Sequence, residues 1–237
     1  MLSRLGAALV AEAVGTFLFF FVGAGAVALT AQEGGGPGLV GVALAHGLAL
    51  AVMVSTFGAI SGGHFNPAVT VAVRLAGRIE WSHAVMYVVA QLVGALGAGL
   101  ALLLVLPGPL GEATQLGTPA LGAGIGVVEG ITIEAILTLV LVLTVFGTAI
   151  DRRAPKLGGM AIGLAVAADI LMGGPLTGAA MNPARWFGPA VASGTYADWY
   201  VWWLGPLIGA ILAAVLYRYV FEGEAEADIS PATPEGT

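Results

Sequence analysis

Apolar residues run through this chain in long stretches, separated by short polar or glycine-rich connections. A helix of about 20 apolar residues crosses roughly 30 Å of hydrocarbon. Six stretches reach that length, approximately at 6–30, 39–60, 82–106, 127–150, 157–175 and 199–221. The short alternating segments that mark a membrane barrel are not seen. The pattern therefore predicts an all-α membrane protein with six spanning helices. Two polar interruptions stand out, SGGHFNPAVT at 61–70 and TGAAMNPARW at 177–186. Asn is a favoured helix cap, Pro suits the first helical position because its missing N–H would be unpaired there anyway, and Ala is a strong helix former. Each Asn-Pro-Ala thus reads as the start of a helix. The apolar runs that follow, AVTVAV and ARWFGPAV, are too short to span, so each predicts a half-helix reached by a re-entrant loop. Non-helical backbone at membrane depth survives only where protein or a water-filled cavity surrounds it.

The chain also repeats itself. AEAVGTFLFF near the start has a counterpart in IEAILTLVLV, each with a glutamate early in an apolar span, and each half later reaches its Asn-Pro-Ala segment just after a helix. Three spans per half invert the second copy relative to the first. This predicts one transmembrane domain over 1–222, with repeat halves of about 1–108 and 109–222. Two half-helices meeting at mid-membrane would bring two positive dipole ends and two Asn amides to one point. That point repels cations. It also orients the oxygen of a passing water toward the asparagines and interrupts a proton relay.

Composition sharpens the class. With 58% hydrophobic and 9% charged residues, the chain has too few polar groups to cover a soluble globule. The 37 glycines suit close helix packing, with small-xxx-small spacing at Gly58 and Gly62, Gly159 and Gly163, and Gly205 and Gly209. No cysteine is present, which excludes disulfides, thiolate catalysis and thiolate metal sites. The first apolar stretch is long and begins almost at once, so it reads as the first span and not as a cleavable signal.

Arg4, Arg74, Arg78, Arg152, Arg153, Lys156 and Arg218 fall on one side of the six-span arrangement, and Arg185 is the exception. The positive-inside bias then makes both termini and the 151–156 connection cytoplasmic, in a multi-pass protein of the cell (plasma or inner) membrane. The net charge of −6 comes partly from the tail at 223–237, which reads as a solvated, disordered end. No basic stripe supports nucleic-acid binding. A secondary transporter would share inverted repeats and broken helices, yet its coupling needs ionisable groups near the midplane, where this chain places Asn66 and Asn182. An enzyme would need a nucleophile with a base or paired aspartates, and a phosphate loop or metal-ligand cluster is likewise missing. No cofactor and no metal are expected.

The sequence resembles the aquaporins, or major intrinsic proteins, over essentially its whole length, from AEAVGTFLFFFVGAGAV through SGGHFNPAVT and VVAQLVGAL to GPLTGAAMNPARWFGPAV and WWLGPLIGA. Two Asn-Pro-Ala boxes in inverted halves, the second followed at once by Arg185, carry the resemblance. It implies a homotetramer in the bilayer, each protomer with its own passive pore for water and small neutral solutes. The boxes are Asn66, Pro67, Ala68 and Asn182, Pro183, Ala184, whose asparagines would donate to the water file. Gly62, Gly63 and His64, with Gly178, Ala179 and Ala180, match loop positions whose carbonyls accept from it, and Glu12 and Glu134 match the glutamates that hold those loops.

The resemblance further assigns an outer constriction to His46, Ile170, Ala179 and Arg185. This set is similar to that of plant tonoplast intrinsic proteins. It implies that ammonia passes beside water, with Ile170 widening the filter, His46 hydrogen bonding a neutral solute and Arg185 repelling ammonium. A strictly water-selective pore is the alternative, with Trp186 or the loop carrying Pro119 narrowing the opening. A glycerol facilitator fits less well, because Trp186 stands where such channels carry an aspartate and because of the aromatic pair Trp202 and Trp203. Ala179 also occupies the position where mercury-sensitive members carry a cysteine. Asp169 is expected near a membrane end and hydrogen bonded locally, with a pore group as the alternative, His83 at the interface, and His64 at the cytoplasmic mouth, with gating as a second possibility.

Overall fold

Helix boundaries fall where the sequence supplies caps. In this computed structural model, which describes residues 2–154 and 157–222, α1 (Arg4–Ala28) opens on Ser3, whose hydroxyl accepts from the Gly6 N–H. Next come α2 (Gly38–Ser61), α3 (Pro67–Leu75), α4 (Trp81–Val105) and a short α5 (Gly108–Thr114). The second half supplies α6 (Val127–Val145), α7 (Met160–Thr177), α8 (Pro183–Ser193) and α9 (Val201–Leu216), and π-helical turns over Phe146–Ile150 and Tyr217–Phe221 lengthen α6 and α9. Six of these helices, extended by their end turns, are long and apolar enough to cross a membrane, while α3 and α8 are not. The sequence-derived spans agree with them to within a few residues. Lys156 and the acidic tail at 223–237 lie outside the described residues.

Glycine sets how closely the helices cross. α1 packs on α4 and α6 on α9 in the same way: a Cβ on Gly94 would strike the Ala13 carbonyl, and one on Gly209 the Ala135 carbonyl. Between the halves α2 packs on α7, where Gly47 and Gly163 each lie against the other's carbonyl oxygen. Such self-matched contact is what a two-fold relation between inverted copies produces at its axis. Gly159 lies against the Ala51 carbonyl and Gly205 against Ile131 and Glu134, so two of the three glycine pairs read from spacing are backbone crossings. The pair Gly58 and Gly62 is not. A Cβ on Gly58 would meet only Val54 of its own helix, at 4.0 Å, and Gly62 ends α2 with φ +91°, a left-handed conformation that favours glycine. Its spacing is a coincidence of the helix stop.

Candidate functional site

α3 and α8 begin inside the protein, each capped by its asparagine. Asn66 Oδ1 accepts from Ala68 N at 2.8 Å, and Asn182 Oδ1 accepts from Ala184 N at 3.0 Å, with proline at the first helical position in both. The amide ends of the same side chains cross between the halves. Asn66 Nδ2 donates to the Met181 carbonyl and Asn182 Nδ2 donates to the Phe65 carbonyl, both at 2.9 Å. An amide nitrogen carries two hydrogens. One is thus committed to structure, and the second is the donor that remains where both asparagines line the central cavity.

The loops that deliver these asparagines are anchored by buried carboxylates. Glu12 Oε1 accepts from Ser61 Oγ at 2.6 Å and His64 N at 3.0 Å, while Oε2 accepts from Phe65 N at 2.7 Å and Gln91 Nε2 at 2.8 Å. Glu134 repeats most of this set: Oε1 accepts from Thr177 Oγ1 at 2.7 Å and Ala180 N at 2.9 Å, and Oε2 from Met181 N at 2.6 Å. Phe65 and Met181, at φ +47° and +53°, are non-glycine residues in the left-handed region. Such a residue costs about 1–3 kcal/mol and persists only where its surroundings over-determine it. Here the N–H is held by a carboxylate and the carbonyl by the opposite half's asparagine. The correspondence extends outward, since Tyr87 Oη donates to the Ser61 carbonyl and Trp202 Nε1 to the Thr177 carbonyl, both at 2.9 Å.

Polar support is unequal behind the two loops. In the first half Gln91 Nε2 also reaches Thr70 Oγ1 at 2.9 Å, and Thr70 Oγ1 lies 3.1 Å from His64 Nδ1. At the matching place in the second half stands Trp186, buried and stacked on Trp202 at 6.0 Å between ring centres. Trp186 does not line the central cavity or the outer vestibule. A bulky residue there therefore leaves the opening as wide as it was.

The central cavity has about 40 Å³ of room at the scale of a water molecule. A water needs about 10–15 Å³ on that measure, so a few molecules fit. Its wall is mostly apolar, with Phe19, Leu50, Leu141, Val145, Ile162 and Val166 among its residues, interrupted by His46, His64, Asn66, Asn182 and Arg185. Gly62, Gly63, Ile170, Ala179 and Ala180 also line it, whereas Gly178 lines the outer vestibule together with Pro119, Ile170 and Arg185. Leu141, Val145 and Ala149 of the α6 side are cavity-lining residues that the sequence did not mark, because apolar cavity walls carry no compositional signal. Gln91, the one amide of α4 and its only polar side chain after Tyr87, was a readable signal left unused.

His46 differs from expectation. Its Nδ1 lies 2.9 Å from the Val42 carbonyl, which can only accept, so Nδ1 carries the hydrogen. Its Nε2 accepts from Arg185 Nε at 3.0 Å. Both nitrogens are engaged, and His46 has no free nitrogen for a solute; its role is to hold the Arg185 guanidinium. Arg185 Nη1 is buried without a partner, which leaves it as the donor at this level.

Asp169 is also corrected. It is 5% exposed in the middle of α7, since that helix runs to Thr177, and its Oδ2 has no hydrogen-bond partner. Side-chain carboxylates within a helix point away from its paired backbone donors, so no local cap is available to it. His83 is exposed at the start of α4. Among the described residues no group of three or more His, Cys, Asp or Glu side chains could hold a metal ion.

The major intrinsic protein profile matches residues 3–217. Aquaporin TIP4-4 of Zea mays is 44% identical over 221 residues, covering 90% of this chain and 86% of that protein. Aquaporin TIP2-1 of Arabidopsis thaliana is 43% identical over 227 residues, covering 92% and 89%. Among solved structures, the aquaglyceroporin from Plasmodium falciparum superposes with a TM-score of 0.82 at 22% identity, covering 92% of this chain and 97% of that one, a likeness of fold.

Proposed function

The chain belongs to the major intrinsic protein family, and from that premise we propose that it is a passive water channel, a transporter and not an enzyme, whose pore also passes neutral ammonia while excluding ions and protons. The observation that carries the reading is the crossed pair Asn66 and Asn182 at the facing starts of α3 and α8, inside a narrow cavity with apolar walls. Two helix N-termini and two amide donors favour a water oxygen and disfavour a cation. A water oriented there accepts from both asparagines and cannot pass a hydrogen bond straight through, which interrupts proton hopping. The apolar walls offer few competing bonds, so a file moves without being held.

Ammonia follows from the outer filter. Ile170 supplies an apolar wall and Pro119 an apolar vestibule rim. Arg185, fixed by His46, contributes a permanent positive charge and an unpartnered N–H that a neutral base can accept. The halves 1–108 and 109–222 act as one channel domain, four copies of which assemble in the cell membrane with the chain ends on the cytoplasmic side.

Stopped-flow light scattering on proteoliposomes tests the water reading, with permeability well above protein-free vesicles expected and equality refuting it. Intravesicular alkalinisation after an ammonium gradient tests the finer one. Wild type should exceed Ile170→His at matched water permeability; both at the protein-free rate would rule ammonia out.

A further inference from the structure

On the face that carries both chain ends, the outward side of the half-helix α3 meets the flanks of α4 and α9. Three arginines gather there. The Arg74 guanidinium lies 5.0 Å above the Trp81 ring, with its Nε buried and without a partner. Arg218 Nη1 donates to the Leu75 carbonyl at 3.0 Å, and its guanidinium lies 5.7 Å from the Tyr219 ring. Arg78 is paired with Glu222. The cluster thus holds its guanidinium groups in place, and only one of the three has a carboxylate partner among the described residues.

The flanking surface is unlike that around a soluble anion site. On α4, Trp81, Val85 and Val89 form an exposed ridge, and on α9 Leu212, Val215 and Tyr219 form another, with Trp81 54% and Tyr219 72% exposed. Aromatic residues of this kind mark the headgroup level of a bilayer. A ligand that satisfies both parts carries a negatively charged phosphate and hydrocarbon chains. We infer that this seam is a binding site for an anionic glycerophospholipid, its phosphate on Arg74 and Arg218 and its acyl chains along the α4 and α9 ridges. A zwitterionic lipid would set its own cation against the arginines, and a free phosphate would leave the ridges unused.

An uncompensated arginine near a membrane surface favours an anionic lipid by about fivefold. Arg78 is neutralised by Glu222, and Glu80, next to Trp81 in the chain though not paired with either arginine, is counted against one of the remaining two. The net expectation is a preference of about fivefold over phosphatidylcholine.

Trp81 is the reporter. The other tryptophans, Trp186, Trp199, Trp202 and Trp203, lie in α8, in the turn before α9 or at its start, at the opposite end of that helix from Arg218. The full-length protein is reconstituted in mixed vesicles carrying brominated phosphatidylglycerol in plain phosphatidylcholine, and in the reverse labelling. The Trp81 signal is taken as wild type minus Trp81→Phe. Quenching by brominated phosphatidylglycerol should exceed its mole fraction about fivefold, and the double variant Arg74→Gln, Arg218→Gln should lose the excess. Arg74→Lys, checked for an unchanged melting temperature, should retain most of it. Equal quenching by both labelled lipids overturns the site. An excess removed by millimolar glycerol phosphate overturns the lipid assignment, because a free phosphate would then suffice. An excess that survives in the double variant shows that these arginines do not form the site.

Discussion

Replacing Glu134 by glutamine changes one atom and tests how the outer loop is held. Glutamine keeps a carbonyl that can serve Thr177 Oγ1 and Ala180 N, but its amide then faces the Met181 N–H, donor against donor. A buried donor left unpaired costs about 1–3 kcal/mol, and each surviving bond loses roughly 1 kcal/mol of charge assistance. The sum is about 3–5 kcal/mol, on a residue already strained at φ +53°. Glu12→Gln should cost at least as much, because its amide faces the Phe65 N–H in the same way and Gln91 can accept from it only by withdrawing Nε2 from Thr70 Oγ1. At roughly 2–4 °C per kcal/mol for a chain of this size, Glu134→Gln should melt about 10 °C below wild type in detergent, and Glu12→Gln no higher than Glu134→Gln. Water permeability of reconstituted Glu134→Gln should fall with it, because Met181 also receives Asn66 Nδ2. A Glu12→Gln protein that melts several degrees above Glu134→Gln would refute the reading of the two carboxylates as matching anchors. A Glu134→Gln protein as stable as wild type would refute the anchoring role itself.

Three further outcomes can be checked. Asn66→Asp or Asn182→Asp places a carboxylate at the meeting point of two helix dipoles and should raise cation conductance in vesicles by tenfold or more, at about 1.4 kcal/mol per tenfold; unchanged conductance in a folded variant counts against dipole exclusion. Ala179 lines the cavity in a chain without cysteine, so wild type should resist micromolar mercurials, and Ala179→Cys should be blocked in a manner reversed by a thiol reductant. Hydrogen bonds from Arg153 hold the Asp151 carboxyl down to about 2. A depressed value contributes stability that is present above the ordinary carboxylate range and lost as pH falls toward 2. Any change of permeability between pH 5 and 8 should therefore survive in Asp151→Asn, and its disappearance there would sink the assignment.

Much of this was legible in the chain because hydrocarbon imposes few solutions. Span length and the twin Asn-Pro-Ala caps each follow from a rule that acts locally, and the structure places both caps in matching roles, whereas the loop-holding role of the paired glutamates came only with the family resemblance. What could not be read is what depends on packing between distant elements. Nothing in the sequence shows that the Asn66 amide reaches Met181, or that His46 spends both nitrogens on Val42 and Arg185, because these bonds join residues far apart in the chain. Gly58 and Gly62 show the opposite failure, a local spacing with no helix crossing behind it. Asp169 already stood well inside the sequence-derived span at 157–175, as it does in α7; what could not be read is that no donor reaches its Oδ2.

The crossed asparagines also impose an order on synthesis. Residues 61–75 are made long before Met181 and Asn182 exist, so the first re-entrant loop must wait with its Asn66 amide and Phe65 carbonyl unanswered until most of the chain has been translated. In hydrocarbon such groups are not left bare. Until then, the early half must keep its loop in water or in the shelter of the insertion machinery, and only the arrival of α8 seals it into the membrane. A ribosome stalled before residue 181 thus holds a chain with several spans and no finished conduit, which spares the membrane a half-built leak.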